Sequence, residues 1–167
     1  MEEKKERAAE NTKPSQTPIL VSACLLGTDC KYNGGNNLCA PVKALEKNYR
    51  IIPICPETLG GLTSPRQPAE IQNGRVFNTK GEELTEAFRT GAEKALAIGE
   101  EYGCNLAVLK ANSPSCGFGE VYDGSFCHIK VAGNGIAAQL LLEHGYRILT
   151  EKELVAGSSI DDKLQSK

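Results

Sequence analysis

A chain of 167 residues with 40% hydrophobic residues has the size of one domain and enough apolar mass for a core, and it holds no apolar run long enough to span a bilayer. Its formal net charge of -2 gives no general attraction for a polyanion, so neither nucleic acid nor a membrane is an expected partner. The seven cysteines follow an N-terminus, Met1-Glu2-Glu3-Lys4-Lys5-Glu6-Arg7, that lacks an apolar signal segment. The expectation is a cytoplasmic chain with reduced thiols, used for metal binding, catalysis or burial.

Residues 1–17 are charged and polar and read as a flexible tail. One domain is expected over 18–157 and a second loose tail over 158–167. The first strand, Ile19 to Ala23, ends on Cys24 and opens into a loop rich in turn formers that carries Cys30, Tyr32 and Cys39. Pro41 to Lys47 suits a short helix with proline in its first turn. A second strand, Arg50 to Ile54, ends on Cys55. The stretch Pro56 to Ile71 is too rich in proline and glycine for a long regular element, and loops of that length are more often functional than idle. Gly74 to Gly81 predicts a small strand and turn. Leu84, Phe88, Ala92, Ala95, Leu96 and Gly99 then mark one face of a long amphipathic helix ending near Gly103.

The third strand, Leu106 to Ala111, runs into Asn112-Ser113-Pro114-Ser115-Cys116-Gly117. Glu120 to Phe126 predicts a hairpin with its turn at Asp123-Gly124. Gly133-Asn134-Gly135 precedes a helix, Ile136 to His144, closed by Gly145. It is too short a motif to claim a nucleotide, although a helix start can cradle an anion. Arg147 to Leu149 is a last strand, and Thr150 to Leu154 resembles a capped short helix.

Three apolar runs therefore finish on or near Cys24, Cys55 and Cys116. If the strands are parallel and joined by helices, their carboxyl ends share one edge of the sheet, where open α/β folds place ligands, and the thiols meet in space. Buried cysteine is the plain alternative for any one of them. As metal ligands they do not suit structural zinc, which prefers a close Cys-x2–4-Cys pair that this chain lacks. An iron-sulfur cluster can be held by thiolates from distant loops, and three thiolates on a cubane leave one iron open. Such an iron is a Lewis acid with affinity for sulfur.

Ser22-Ala23-Cys24-Leu25-Leu26-Gly27, Cys55-Pro56-Glu57, Gly60-Gly61-Leu62, Pro65-Arg66-Gln67-Pro68-Ala69-Glu70-Ile71, Ser113-Pro114-Ser115-Cys116-Gly117 and Tyr122-Asp123-Gly124 together resemble the thiouracil desulfurase (TudS) family, over about residues 18–155. The resemblance implies a single Rossmann-like α/β domain with a mainly parallel central sheet flanked by helices. It implies a [4Fe-4S] cluster held by Cys24, Cys55 and Cys116. It also implies an acid/base glutamate at Glu57, a catalytic serine at Ser113, and a small thiolated base or nucleoside, such as 2-thiouracil, that loses its sulfur as sulfide without net redox change.

Other readings stay beside this one. Ser115 is the alternative hydroxyl. Arg66 and Glu70 either orient substrate or pair within their loop, and Tyr32 and Tyr122 either stack on a base or pack. Cys104, before its strand, belongs at the opposite edge of the sheet, and Cys127 is expected to be packed. Cys30 or Cys39 could bend back and close the fourth iron, which would make the chain a non-catalytic iron-sulfur or zinc protein. An enzyme acting on thiolated tRNA is the other alternative. His144, in a helix's last turn, is expected to serve that helix's carbonyl end.

Overall fold

The computed structural model describes residues 16–157 and Ile160. The rest of the two expected tails lies outside the described residues. Within them, the Thr17 carbonyl accepts the Arg50 N–H and Ile160 is buried in the core.

Four strands form one all-parallel sheet: β1 (Pro18–Ser22), β2 (Arg50–Ile54), β5 (Leu106–Leu109) and β8 (Arg147–Thr150), in the order β2-β1-β5-β8. Side chains alternate across a strand, and both faces of this sheet are apolar, as a sheet covered on both sides requires. Leu20, Ile52, Ala107 and Ile148 point into one core layer, while Ile19, Val21, Val108 and Leu149 point into the other. β2 lies at the edge, which is where a strand containing Pro53 can sit without losing a ladder bond.

Helices of the described residues include α1 (Ala40–Lys43), α2 (Pro56–Leu59), α3 (Thr85–Tyr102), α4 (Ile136–Glu143) and α5 (Glu151–Val155). Short 3-10 turns follow β1 (Ala23–Leu26) and α1 (Ala44–Lys47), so the helix expected over Pro41 to Lys47 tightens halfway. α3 buries Phe88, Ala92, Ala95 and Gly99 along the stripe that the spacing predicted, and Gly103 ends it in the left-handed conformation. At Gly99 a Cβ would stand 1.9 Å from the Tyr146 hydroxyl, so any other residue there has to push that buried tyrosine aside. Among the described residues no helix is long and apolar enough to cross a membrane.

Two antiparallel ribbons stand outside the sheet: β3 (Ala69–Gln72) with β4 (Arg75–Asn78), and β6 (Glu120–Tyr122) with β7 (Lys130–Ala132). The second corrects the expected turn at Asp123-Gly124: the strands are joined by a longer loop, 123–129, closed by the Asp123 N–H donating to the Ile129 carbonyl. Cys127 lies on that loop and is exposed, not packed. The hydroxyl of Thr150 makes no cap bond to α5. Its neighbour Glu151 instead accepts the Ala111 N–H at 2.7 Å and the Lys110 ammonium at 3.1 Å.

Candidate active site

The parallel sheet brings the carboxyl ends of β1, β2 and β5 side by side, and the cysteine beyond each of them lines one cavity of about 540 Å³. Cys24 sits in the 3-10 turn after β1. Cys55 is the residue capping the N-terminus of α2, whose first helical residue, Pro56, has no N–H to leave unpaired. Cys116 stands in the loop after β5 and is buried.

That loop is held from several sides. Ser22 accepts the Lys110 N–H at 3.0 Å, tying the end of β1 to the end of β5. The first N–H groups of α4 are used up on it: Ile136 donates to the Pro114 carbonyl, and Ala137 and Ala138 donate to the Ser115 carbonyl. A Cβ on Gly135 would lie 2.5 Å from the Ser115 carbonyl carbon, so the glycine before α4 serves this close approach. Gly133-Asn134-Gly135 therefore cradles a loop of its own chain, with the Asn134 side chain accepting the Gly119 N–H, and not an anion.

Cys30 completes the ring of thiols around the cavity and is 7% exposed. Its thiol lies beside those of Cys24 and Cys55, and the two together drive it well above the ordinary thiol range. Those two thiols move the other way. Cys24 falls from 9.0 to about 7, chiefly through Cys30 against the cost of burial, helped by the Asn37 amide at 3.4 Å. Cys55 falls to about 6, again chiefly through Cys30, helped by the Thr58 hydroxyl at 3.1 Å. Burial pushes Cys116 up to about 12. Cys39 lies in the other direction, packed against the core layer of Ile19 and Val42. Cys104 packs at the far end of the sheet among Leu20, Ala107 and Tyr146, its thiol raised to about 11 by burial.

Among the described residues, no three His, Cys, Asp or Glu side chains stand close enough to hold a single metal ion. The thiols instead surround a space. Glu57, in the first turn of α2, lines it. Its Oε1 accepts from Arg66 Nε at 3.1 Å and is ion-paired with Nη2 at 3.1 Å, and the Glu57 and Arg66 side chains are only 15% and 10% exposed. Arg66 also donates to the Thr63 and Cys30 carbonyls, so its fork is filled and the ion pair is locked. Glu57 Oε2 accepts from Ser115 Oγ at 2.9 Å, and Ser115 Oγ lies 3.0 Å from Ser113 Oγ. Both sequence candidates for the hydroxyl thus belong to one chain of oxygens ending on Glu57.

Glu70 does not pair with Arg66. Its Oε1 accepts the N–H groups of Gly124 and Phe126, at 3.0 and 3.1 Å, and Gln72 donates to the Gly124 carbonyl. Those bonds fix the 123–129 loop, whose Phe126 and His128 line the cavity along with the thiols. Both adopt positive φ, 59° and 60°, a conformation that non-glycine residues keep only under constraint and often at functional sites. Tyr122 lines the same cavity and meets His128 edge to face at 6.2 Å, while Tyr32 is half exposed at the rim. No local pattern singles out Phe126 or His128, since neither residue type announces a left-handed backbone. His144 lies outside this site: its Nδ1–H donates to the Leu140 carbonyl at 2.9 Å, as expected for the end of α4.

Comparison with known proteins is consistent across sequence and structure. The family model described as 2-thiouracil desulfurase matches residues 19–153. The uncharacterized protein YbbK of Bacillus subtilis strain 168 is 40% identical, over 81% of this chain and 97% of that protein. A solved structure described as the [4Fe-4S]-dependent thiouracil desulfidase TudS superposes with a TM-score of 0.79 at 39% identity, covering 84% of this chain and 95% of that one.

Proposed function

The chain belongs to the 2-thiouracil desulfurase family, and on that premise we propose that it hydrolyses the thiocarbonyl of a small thiolated pyrimidine such as 2-thiouracil, giving the oxo-base and sulfide without net redox change. The observation that carries this reading is the meeting of Cys24, Cys55 and Cys116, from three adjacent parallel strands, around a cavity that also holds Glu57.

The donor set fits a [4Fe-4S] cluster. It is made of thiols, not oxygens, its members come from separate loops, and they are too spread for one ion but surround a space that a cage of several metals can bridge. Cys24, Cys55 and Cys116 would be its ligands. When bound, a cluster held by three thiolates supplies an iron with a free position, a Lewis acid with affinity for soft sulfur. Cys30, which holds its proton beside Cys24 and Cys55, has one S–H to give and serves as a hydrogen-bond donor to one of them.

The chain's other residues perform the proton chemistry. Replacing sulfur by oxygen at a ring carbon needs a water deprotonated and a proton returned to the leaving sulfur or ring nitrogen. Glu57 is the group in the cavity suited to both, and Arg66 fixes its carboxylate in one orientation. Ser113 supplies a hydroxyl linked to that carboxylate through Ser115. Tyr122, Phe126 and His128 form an aromatic wall against which a planar base can stack.

Anaerobically reconstituted protein incubated with 2-thiouracil tests the proposal. Sulfide and uracil appearing in equal amounts, without added reductant or oxidant, is the expected result. An iron-loaded protein that releases no sulfide from 2-thiouracil or its nucleoside overturns it.

A further inference from the structure

Ser115 is 2% exposed, and its hydroxyl stands between two groups that face the cavity, 2.9 Å from Glu57 Oε2 and 3.0 Å from Ser113 Oγ. The direction of these bonds follows from counting donors. An ionised carboxylate only accepts, so the Ser115 O–H donates to Glu57. Its other neighbour, Cys116 Sγ, is farther away at 3.7 Å, and a hydroxyl has one proton to give. Ser113 Oγ already accepts two backbone N–H groups, those of Ser115 and Cys116, each at 3.1 Å. Both its lone pairs are occupied, so its own O–H must be the donor toward Ser115. The three groups form a wire polarised from Ser113 toward Glu57.

We propose that Ser115 is a positioning residue that relays protons between Ser113 and Glu57, a role that rests on the reading of those two as the acid/base machinery. A proton leaves Ser113 Oγ for Ser115 Oγ as the proton of Ser115 passes to Glu57 Oε2. Two O–H bonds break and two form, the net change is one proton moved from Ser113 to Glu57, and no electron is transferred. The oxygen left on Ser113 carries its charge between the two N–H donors that already point at it, an arrangement that stabilises an oxyanion without reorganisation. Reversal of the wire restores the resting state. Because Glu57 Oε1 is committed to Arg66, Oε2 is the oxygen free to exchange protons, and Ser115 is its route to Ser113.

The test uses the anaerobically reconstituted full chain with 2-thiouracil, and compares Ser113→Ala, Ser115→Ala, Ser115→Thr and the double alanine variant. Iron content, KM, the single-turnover rate and its dependence on the fraction of D2O are measured. Ser115→Ala is expected to keep its iron and KM while the rate falls about 100-fold, the scale of one lost proton-transfer group. The double variant falls no further than Ser113→Ala. The bowed D2O dependence of the parent, a sign of more than one proton in flight, becomes linear in Ser115→Ala, and Ser115→Thr recovers most of the loss. A Ser115→Ala protein whose rate or D2O curve matches the parent, while Ser113→Ala is slow, overturns the relay and leaves the reading of Ser113 standing. Parental activity in Ser113→Ala overturns both. A linear D2O dependence in the parent overturns the relay without any variant, which covers the case in which Ser115→Ala does not load with iron.

Discussion

Gly91 and Pro56 meet backbone to backbone: a Cβ on Gly91 would stand 1.8 Å from the Pro56 carbonyl oxygen, and one on Gly60 would stand 2.0 Å from the Ala87 carbonyl oxygen. The short helix that begins after Cys55 is thus seated on the long helix with no side chain between them. Its seat fixes both the Cys55 sulfur and the Glu57 carboxylate. In an exposed helix Gly→Ala stabilises by about 1 kcal/mol. At Gly91 the sign is expected to reverse, with a loss of about 3 kcal/mol from overpacking against unyielding backbone. Urea unfolding of Gly91→Ala measures it, and a variant as stable as the parent shows that the two helices can separate freely.

Arg66 holds Glu57 in a nearly buried pair, so removing the guanidinium leaves the carboxylate without its charged partner. Arg66→Ala is expected to cost about 3 kcal/mol of stability and to lower the desulfuration rate while iron content stays at the parental level. Arg66→Lys, which keeps charge but not the fork, is expected to fall between the two. Iron analysis beside turnover separates this outcome from simple loss of the cofactor.

The thiols give a pH signature in the metal-free chain. Thiolate is the form alkylated by iodoacetamide, so Cys55 is expected to react with a midpoint near pH 6 and Cys24 near pH 7, while Cys116 resists up to about pH 12. Cys30→Ala removes the largest cause of both depressions and moves the first two midpoints up toward 9.0. For stability the signs oppose each other. Cys24 and Cys55, depressed on folding, stabilise fully above pH 9 and lose that contribution as pH falls to about 7 and 6. Cys116, raised on folding, stabilises below pH 9 and loses it as pH climbs toward about 12.

On the proposed function, Glu70 acts on substrate binding through the backbone that it holds. Its two bonds to the 123–129 loop hold Phe126 and His128 in conformations they would not adopt alone. Glu70→Ala is expected to raise KM for 2-thiouracil about tenfold, the equivalent of one hydrogen bond to a charged group at about 1.5 kcal/mol. The rate at saturation should stay near the parental value. A variant with unchanged KM shows that the loop keeps its shape without the carboxylate.

The sheet and the meeting of Cys24, Cys55 and Cys116 were legible in the sequence because each follows from a short-range signal, an apolar run that ends on or near a thiol, combined with the rule that parallel strands share a carboxyl edge. What stayed hidden depends on where loops travel. Cys30 and Cys39 sit on one loop, but Cys30 turns into the cavity and Cys39 into the core, and no local pattern separates them. Arg66 and Glu70 look like partners four residues apart. Yet β3 begins at Ala69 and carries Glu70 to a loop more than fifty positions downstream. Ser113 and Ser115 compete in sequence as alternative hydroxyls, whereas in the fold they are consecutive members of one wire. Thr150 and Glu153 resemble a capping pair, but the acid between them, Glu151, is engaged with Ala111 and Lys110.

On the proposed function, Cys24, Cys55 and Cys116 hold a [4Fe-4S] cluster, and Cys30 keeps its proton and binds no iron. Mössbauer spectroscopy of the chain reconstituted with iron-57 separates this ligand set from one that includes Cys30. A spectrum in which one iron differs from the other three, unchanged in number when Cys30 is replaced by serine and altered at the single site by 2-thiouracil, is the predicted result. Four alike irons in the parent, becoming three and one only in Cys30→Ser, would contradict the claim by making Cys30 the fourth ligand.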